Sequence, residues 1–221
     1  MVLAALFALG CDKEVLVLDE AKTKTCMPST ENYLTGKIMG TEECWNNNTV
    51  NYESRYEISS TGTGTCGQGY ENYPFPYMSL GIIAAENEDS SFKRYLTIEI
   101  PFACDAFSTK AKFYNLISAG NYGYQEGWKS YGKFAIEYTD ANGSFSTDNI
   151  GQGNNTLEIL KVEEVFLPGG NVHHALRVKM KINCILADTQ GKVYGSLEDV
   201  EVSGMFLRQK PWGETYDDWE E

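Results

Sequence analysis

Apolar residues recur at every second position along much of this chain. The clearest run is Leu176–Leu186, where Leu176, Val178, Met180, Ile182, Cys184 and Leu186 alternate with Arg177, Lys179, Lys181 and Asn183. Successive side chains of a strand point to opposite faces, so this run predicts a long strand with one apolar and one cationic face. Asp188-Thr189-Gln190-Gly191 is a turn signal that leads into Lys192–Leu197 as the hairpin partner. The outward cations would be balanced by outward glutamates of a neighbouring strand, such as Glu201 or Glu137.

The same alternation predicts strands at Met78–Ile82, Leu96–Cys104, Phe134–Tyr138 and Val50–Ile58, a shorter one at Ala111–Ile117, and a closing one through Val200, Val202, Gly204 and Phe206. Pro101 lies inside the second of these and pushes its end toward a sheet edge or a bulge. Asp140-Ala141-Asn142-Gly143 reads as a hairpin turn. In Leu157–Val165 the apolar phase slips by one, from Leu157 and Ile159 to Leu160 and Val162, which predicts a bulge near Ile159–Leu160. About eight to ten short strands at hairpin spacing, with no amphipathic helix, make an all-β fold. An antiparallel two-sheet sandwich is expected, with a distorted β-barrel as the alternative.

Met1–Gly10 is almost wholly apolar and turns polar immediately after Cys11. It is too short to span a bilayer as a helix and fits the apolar core of a secretory signal. Gly10-Cys11 resembles a bacterial lipobox, in which the cysteine is lipidated and becomes the mature N-terminus. The expected organisation is a signal-like segment at 1–10, a tether at 11–25 and a single β domain at 26–212 with a turn-rich N-terminal third. An acidic, poorly ordered tail at 213–221 would follow. The implied location is the bacterial cell envelope, as an outer-membrane lipoprotein held by its lipid.

This start, the alternating strands, a Gly-Asn-Tyr element and the closing Val202-Ser203-Gly204-Met205-Phe206 together resemble the secreted or lipid-anchored β-domain proteins of unknown function from Bacteroidota. The acidic residue after Cys11 also resembles the export signals of surface lipoproteins in that group. The resemblance implies a sandwich or barrel-like domain and no established activity.

The chain has 221 residues and a net charge of −13. That charge argues against nucleic acid and anionic headgroups as partners. If Cys11 is acylated, Cys26, Cys44, Cys66, Cys104 and Cys184 remain, and an extracytoplasmic location permits disulfides. A bridge within Cys26, Cys44 and Cys66 is favoured because that region is poorest in core. Cys104 and Cys184 fall on inward phases, where they would either bridge or stay as buried thiols. No Cys-x-x-Cys spacing exists, and adjacent His173 and His174 on a strand face opposite ways, so no metal site and no cofactor are expected.

No catalytic constellation emerges. The two histidines precede no nucleophile motif, and the acids fall mostly at outward or loop positions, short of the paired geometry of a glycoside hydrolase. Asp140–Ser144 lacks the closing acidic ligand of a calcium loop. Two aromatic, glycine-rich stretches do suggest binding: Tyr70, Tyr73, Phe75 and Tyr77 in the first, and Tyr122, Tyr124, Trp128 and Tyr131 in the second. Exposed rings beside amides and carboxylates suit a neutral sugar, whereas buried rings would simply cap the fold. The expectation is a non-catalytic extracytoplasmic domain with a binding or structural role. A glycan or another surface protein is the candidate partner, and a hydrolase is the remaining alternative.

Overall fold

A computed structural model describes residues 32–46, 52–55, 77–85, 93–102, 109–126, 132–166 and 174–208. The fold is all-β, an antiparallel sheet curled into a half-barrel, which matches the barrel-like form of the expectation. Its strands are β1 (Tyr33–Ile38), β2 (Thr41–Asn46), β3 (Tyr52–Arg55), β4 (Tyr77–Ala85), β5 (Lys93–Pro101), β6 (Gly120–Tyr122), β7 (Ala135–Asp140), β8 (Gly143–Ser146), β9 (Leu157–Phe166), β10 (His174–Ala187) and β11 (Val193–Arg208). A one-turn helix α1 (Lys110–Tyr114) precedes β6.

The sheet is built outward from β10. Leu176, Val178, Met180, Ile182, Cys184 and Leu186 are all buried in the core, each aliphatic side chain contributing about 1.5–3 kcal/mol relative to exposure. β11 pairs with β10 along one side. On the other side β9 pairs as far as Ile182, and β8 meets β10 at Ala187. Two wings therefore leave the same strand, one through β9 to β6 and one through β8, β7, β5 and β4 to β3. The second wing curls until β4 faces β11, where a Cβ on Gly204 would stand 2.7 Å from Leu80 Cδ2.

β1 and β2 lie beyond β11, inside the region that the sequence pattern reads only as turn-rich. Their alternation is hidden because Gly36 occupies an inward position between Leu34 and Ile38, and because β2 carries acids at Glu42 and Glu43. Met39 and Gly40 both take positive φ, 50° and 82°, which makes the two-residue hairpin that pairs Ile38 with Thr41.

Ala111–Ile117, expected as a strand, contains α1 instead. Thr109 caps it, its Oγ1 accepting from Lys112 N at 3.2 Å. Phe113 and Ile117, four residues apart, are both buried in the core. The closing strand is not separate either: β11 runs unbroken from the turn at Asp188 to Arg208.

Two of the register irregularities are bulges with clear causes. Lys179 pairs with Lys161 and Met180 with Ile159, so Leu160 is the extra residue of a bulge, where the phase slip predicts one. In β11, Ile182 pairs with Val200 and Cys184 with Leu197, which leaves Glu198-Asp199 as a second bulge. Asp199 takes φ 51° there, and its N–H donates to Asn183 Oδ1 at 2.8 Å.

The outward lysines of β10 are matched by acids of β11, one of them the expected Glu201. Lys179 pairs with Glu201 at 2.9 Å and Lys181 with Asp199 at 2.9 Å. Tyr33 also donates its hydroxyl to Glu201. Cys184 is a free, buried thiol, so of the two open readings it takes the unbridged one. Cys44 is disulfide-bonded, with its partner outside the described residues.

Candidate functional site

Of the two aromatic stretches, Tyr70, Tyr73, Phe75, Trp128 and Tyr131 lie outside the described residues, as does Cys11. Tyr77 opens β4. The remaining two tyrosines serve the fold. Tyr124 is buried, its hydroxyl donating to Asn183 O at 2.9 Å. Burial pushes its pKa far above the ordinary phenol range. Tyr122 is half-buried and meets Phe134 edge-on at 5.4 Å. Its hydroxyl accepts from Ser118 N at 3.0 Å and donates to Ser118 O at 2.9 Å, closing its own loop.

A different set of residues converges at the end of the β9–β10 ladder. Residues directly opposite on antiparallel strands share a face. Leu176, buried in the core, lies opposite Glu164, and His174 lies opposite Phe166. The Leu160 bulge resets the phase of β9, so Val162, Glu164 and Phe166 all fall on the core-facing side. Beyond Leu176 on that side, Glu164 is exposed and Phe166 is 62 % exposed.

Helix α1 supplies the third member. Burying Phe113 carries the neighbouring Tyr114 to His174, where the phenol oxygen and Nδ1 are 2.7 Å apart. The Tyr114 and His174 rings meet edge-on at 5.7 Å and 77°, and Phe166 meets His174 at 5.5 Å and 66°. Partial burial, followed by the Glu164 charge, raises the Tyr114 pKa. The end of the half-barrel thus combines an exposed ring, a carboxylate, and an imidazole whose plane a phenol fixes. It can stack an apolar face and orient hydrogen-bonding groups around it.

This set was accessible to the phase argument. Extending the Leu176 alternation back by two places His174 inward, and extending the β9 pattern past its slip does the same for Glu164 and Phe166.

Other polar clusters serve structure. Glu43, on the inward side of β2, is held by both terminal nitrogens of the Arg94 guanidinium and by Trp45 Nε1 at 2.9 Å. Phe145 and Tyr194 stack at 3.6 Å where the two hairpin turns meet, and Tyr194 donates to Asp140 at 3.1 Å. That contact gives Asp140 a structural use. Among the described residues no group of His, Cys, Asp and Glu is placed to hold a metal ion, and no helix is long and apolar enough to cross a membrane.

No family model, no curated protein and no solved structure matches this chain.

Proposed function

We propose that this chain is a non-catalytic binding domain, held outside the cytoplasm by a lipid on Cys11, with the open end of the half-barrel as its ligand seat. The observation that carries the reading is Phe166, 62 % exposed on the side of the sheet that elsewhere forms the core. A large ring this exposed on the core-facing side of a sheet supports a place for a partner. Glu164 and the hydrogen-bonded Tyr114–His174 pair stand beside it. The seat rests on β9, β10 and α1, so its groups are positioned by packed elements. The apolar run ending at Gly10-Cys11 supports the anchor.

The test is site-specific photo-cross-linking in intact cells producing the full chain. A photoreactive phenylalanine at position 166 is compared with one at Tyr95, which is exposed on the outer face of β5. Adducts specific to position 166 are expected, and equal or absent adducts would sink the seat. Labelled palmitate that still enters a Cys11→Ser chain would defeat the anchor.

A further inference from the structure

We infer that the tips of the β7–β8 and β10–β11 hairpins form a second binding site, which seats a planar guanidinium cation flat on Tyr194 and against the Asp140 carboxylate. The two tips meet at the Ala187 end of β10, where Ala187 pairs with Ser146 and Val193. Phe166 pairs with His174 at the other end of this 14-residue strand, so the site does not depend on the seat proposed above.

Three observations select that chemistry. The first is how the ring is held. Phe145, buried in the core, covers one face of Tyr194, with centroids 3.6 Å apart and planes 4° from parallel. Tyr194 is nevertheless 39 % exposed, so the surface it offers is its opposite face and its edges. Its hydroxyl donates to Asp140 Oδ2 at 3.1 Å and accepts from Asn142 Nδ2. Besides joining the two turns, these contacts fix the ring at its face and at its tip before any ligand arrives. Little freedom is then left to lose on binding.

The second is the electrostatics of the stack. Each ring face carries the negative part of a quadrupole, so offset or edge-on pairs are ordinarily preferred to two rings lying face to face. Phe145 and Tyr194 lie face to face. A cation over the outer face of Tyr194 draws the π density of that ring toward itself and relieves the repulsion against Phe145. The bond from the phenol to Asp140 acts in the same sense, because a hydroxyl donating to a carboxylate leaves its ring richer in electrons. A neutral ligand would stack without that gain.

The third is charge. Asp140 Oδ1 accepts from Asn142 N at 2.7 Å and Oδ2 accepts from Tyr194, and a carboxylate oxygen has room for a second donor. Residues 140–144 and 188–194 contain two acids, Asp140 and Asp188, and one cation, Lys192, on a chain of net charge −13. That balance draws cations to this end and repels anions. Among cations, a guanidinium is planar and lies flat on a ring, and its fork of N–H donors reaches a carboxylate at the ring's edge. An ammonium group is a point charge and matches neither feature.

The experiment is an NMR titration of the purified, isotope-labelled full chain at low salt. The guanidinium probes are agmatine and a blocked glycine–arginine–glycine tripeptide. The controls are the same tripeptide with citrulline, an uncharged isostere, or lysine in place of arginine, and maltotriose. Both guanidinium probes should shift the signals of Asp140, Asn142, Phe145 and Tyr194 together, and the lysine peptide should bind less tightly. The citrulline peptide and maltotriose should leave those signals unmoved. Asp140→Asn keeps an oxygen to accept from Asn142 N and should weaken guanidinium binding about fivefold, the scale of one exposed charged contact. Tyr194→Leu should weaken it at least as much, and Tyr194→Phe, which keeps the ring, should bind more tightly than Tyr194→Leu. Unchanged signals from β5 and β10 would show that the fold is intact in each variant. Tighter binding of the tripeptide than of agmatine would assign the site to an arginine-bearing partner chain, and the reverse would assign it to a small guanidinium compound. No shift with either guanidinium probe, shifts confined to other residues, or equal binding of the citrulline peptide, the lysine peptide or maltotriose would each overturn the inference. Full binding by Asp140→Asn or by Tyr194→Leu would do the same.

Discussion

Gly36 shows how much one position can carry. Its φ is +134°, and a Cβ there would stand 2.6 Å from Val200 Cα and 2.8 Å from Asp199 O. Neither backbone atom can move without breaking the second bulge, so Gly36→Ala should cost about 1–3 kcal/mol. The readout is a lower urea midpoint at unchanged m value. Cys184 is a buried thiol whose pKa burial pushes up to about 12. Since the thiolate is the nucleophile, iodoacetamide at pH 8 should leave Cys184 unmodified in the native protein and label it in denaturant, as read by peptide mapping. Glu99 is the opposite case of a group under stress. Burial, then the charges of Glu137 and Asp148, raise its carboxyl pKa above the ordinary value. A raised folded-state pKa means that the native state holds the proton more tightly. The associated stability is present below the ordinary carboxylate range and is lost as pH rises through the raised value. Glu99→Gln should therefore raise Tm at pH 7 and lose that advantage in acid, which a pH series of thermal melts would show.

At the scale of elements, the bulges govern which faces are buried. Leu160 is extra in β9, since Ile159 and Val162 both face inward across it. Deleting Leu160 leaves those residues two apart, in phase, so the shortened chain should fold with a Tm within a few degrees of the parent. Deleting Lys181 from β10 is different. It makes Met180 and Ile182 adjacent and turns Ile182, Cys184 and Leu186 outward, so the protein should fail to fold, seen as loss of the β circular dichroism and of soluble yield. The β9 bulge was readable because apolar residues flank it on both sides. The β11 bulge leaves the same signature in the spacing of Leu197 and Val200, concealed when each run is taken as its own strand. Helix α1 was not readable as a helix. Its five residues carry too little periodicity, and its cap and the burial of Phe113 and Ile117 decide the matter.

At the scale of the molecule, the curled sheet brings β5 near β2, and Arg94 spans the gap. Its guanidinium lies 5.3 Å from the Trp45 ring centroid and pairs with Glu43 on the inward side. Arg94→Ala removes one partner of a partly buried ion pair and should cost about 1–2 kcal/mol, discounted for the solvent that still reaches it. The double variant Arg94→Met/Glu43→Gln should recover most of that loss, because no charge is then left unpaired and an amide oxygen still accepts from Trp45 Nε1. Urea unfolding of the three chains gives the comparison. The proposed seat at the end of β9 and β10 belongs to this scale as well, since it combines residues of both strands with Tyr114 of α1.

The sequence by itself determined the period of the strands, the inward set on β10, the slip at Leu160 and the turn at Asp188–Gly191. These follow from alternation and turn chemistry, which act between near neighbours in the chain. It could not show that β10 is shared by two wings, that β4 comes to face β11, or that Arg94 reaches Glu43. Those depend on which strands pair and how far the sheet curls, and many pairings satisfy the same alternation. The same limit applies to the seat. The phase of Glu164, Phe166 and His174 is written in the chain, but their exposure at the end of the sheet, with Tyr114 brought alongside by α1, is a product of tertiary packing.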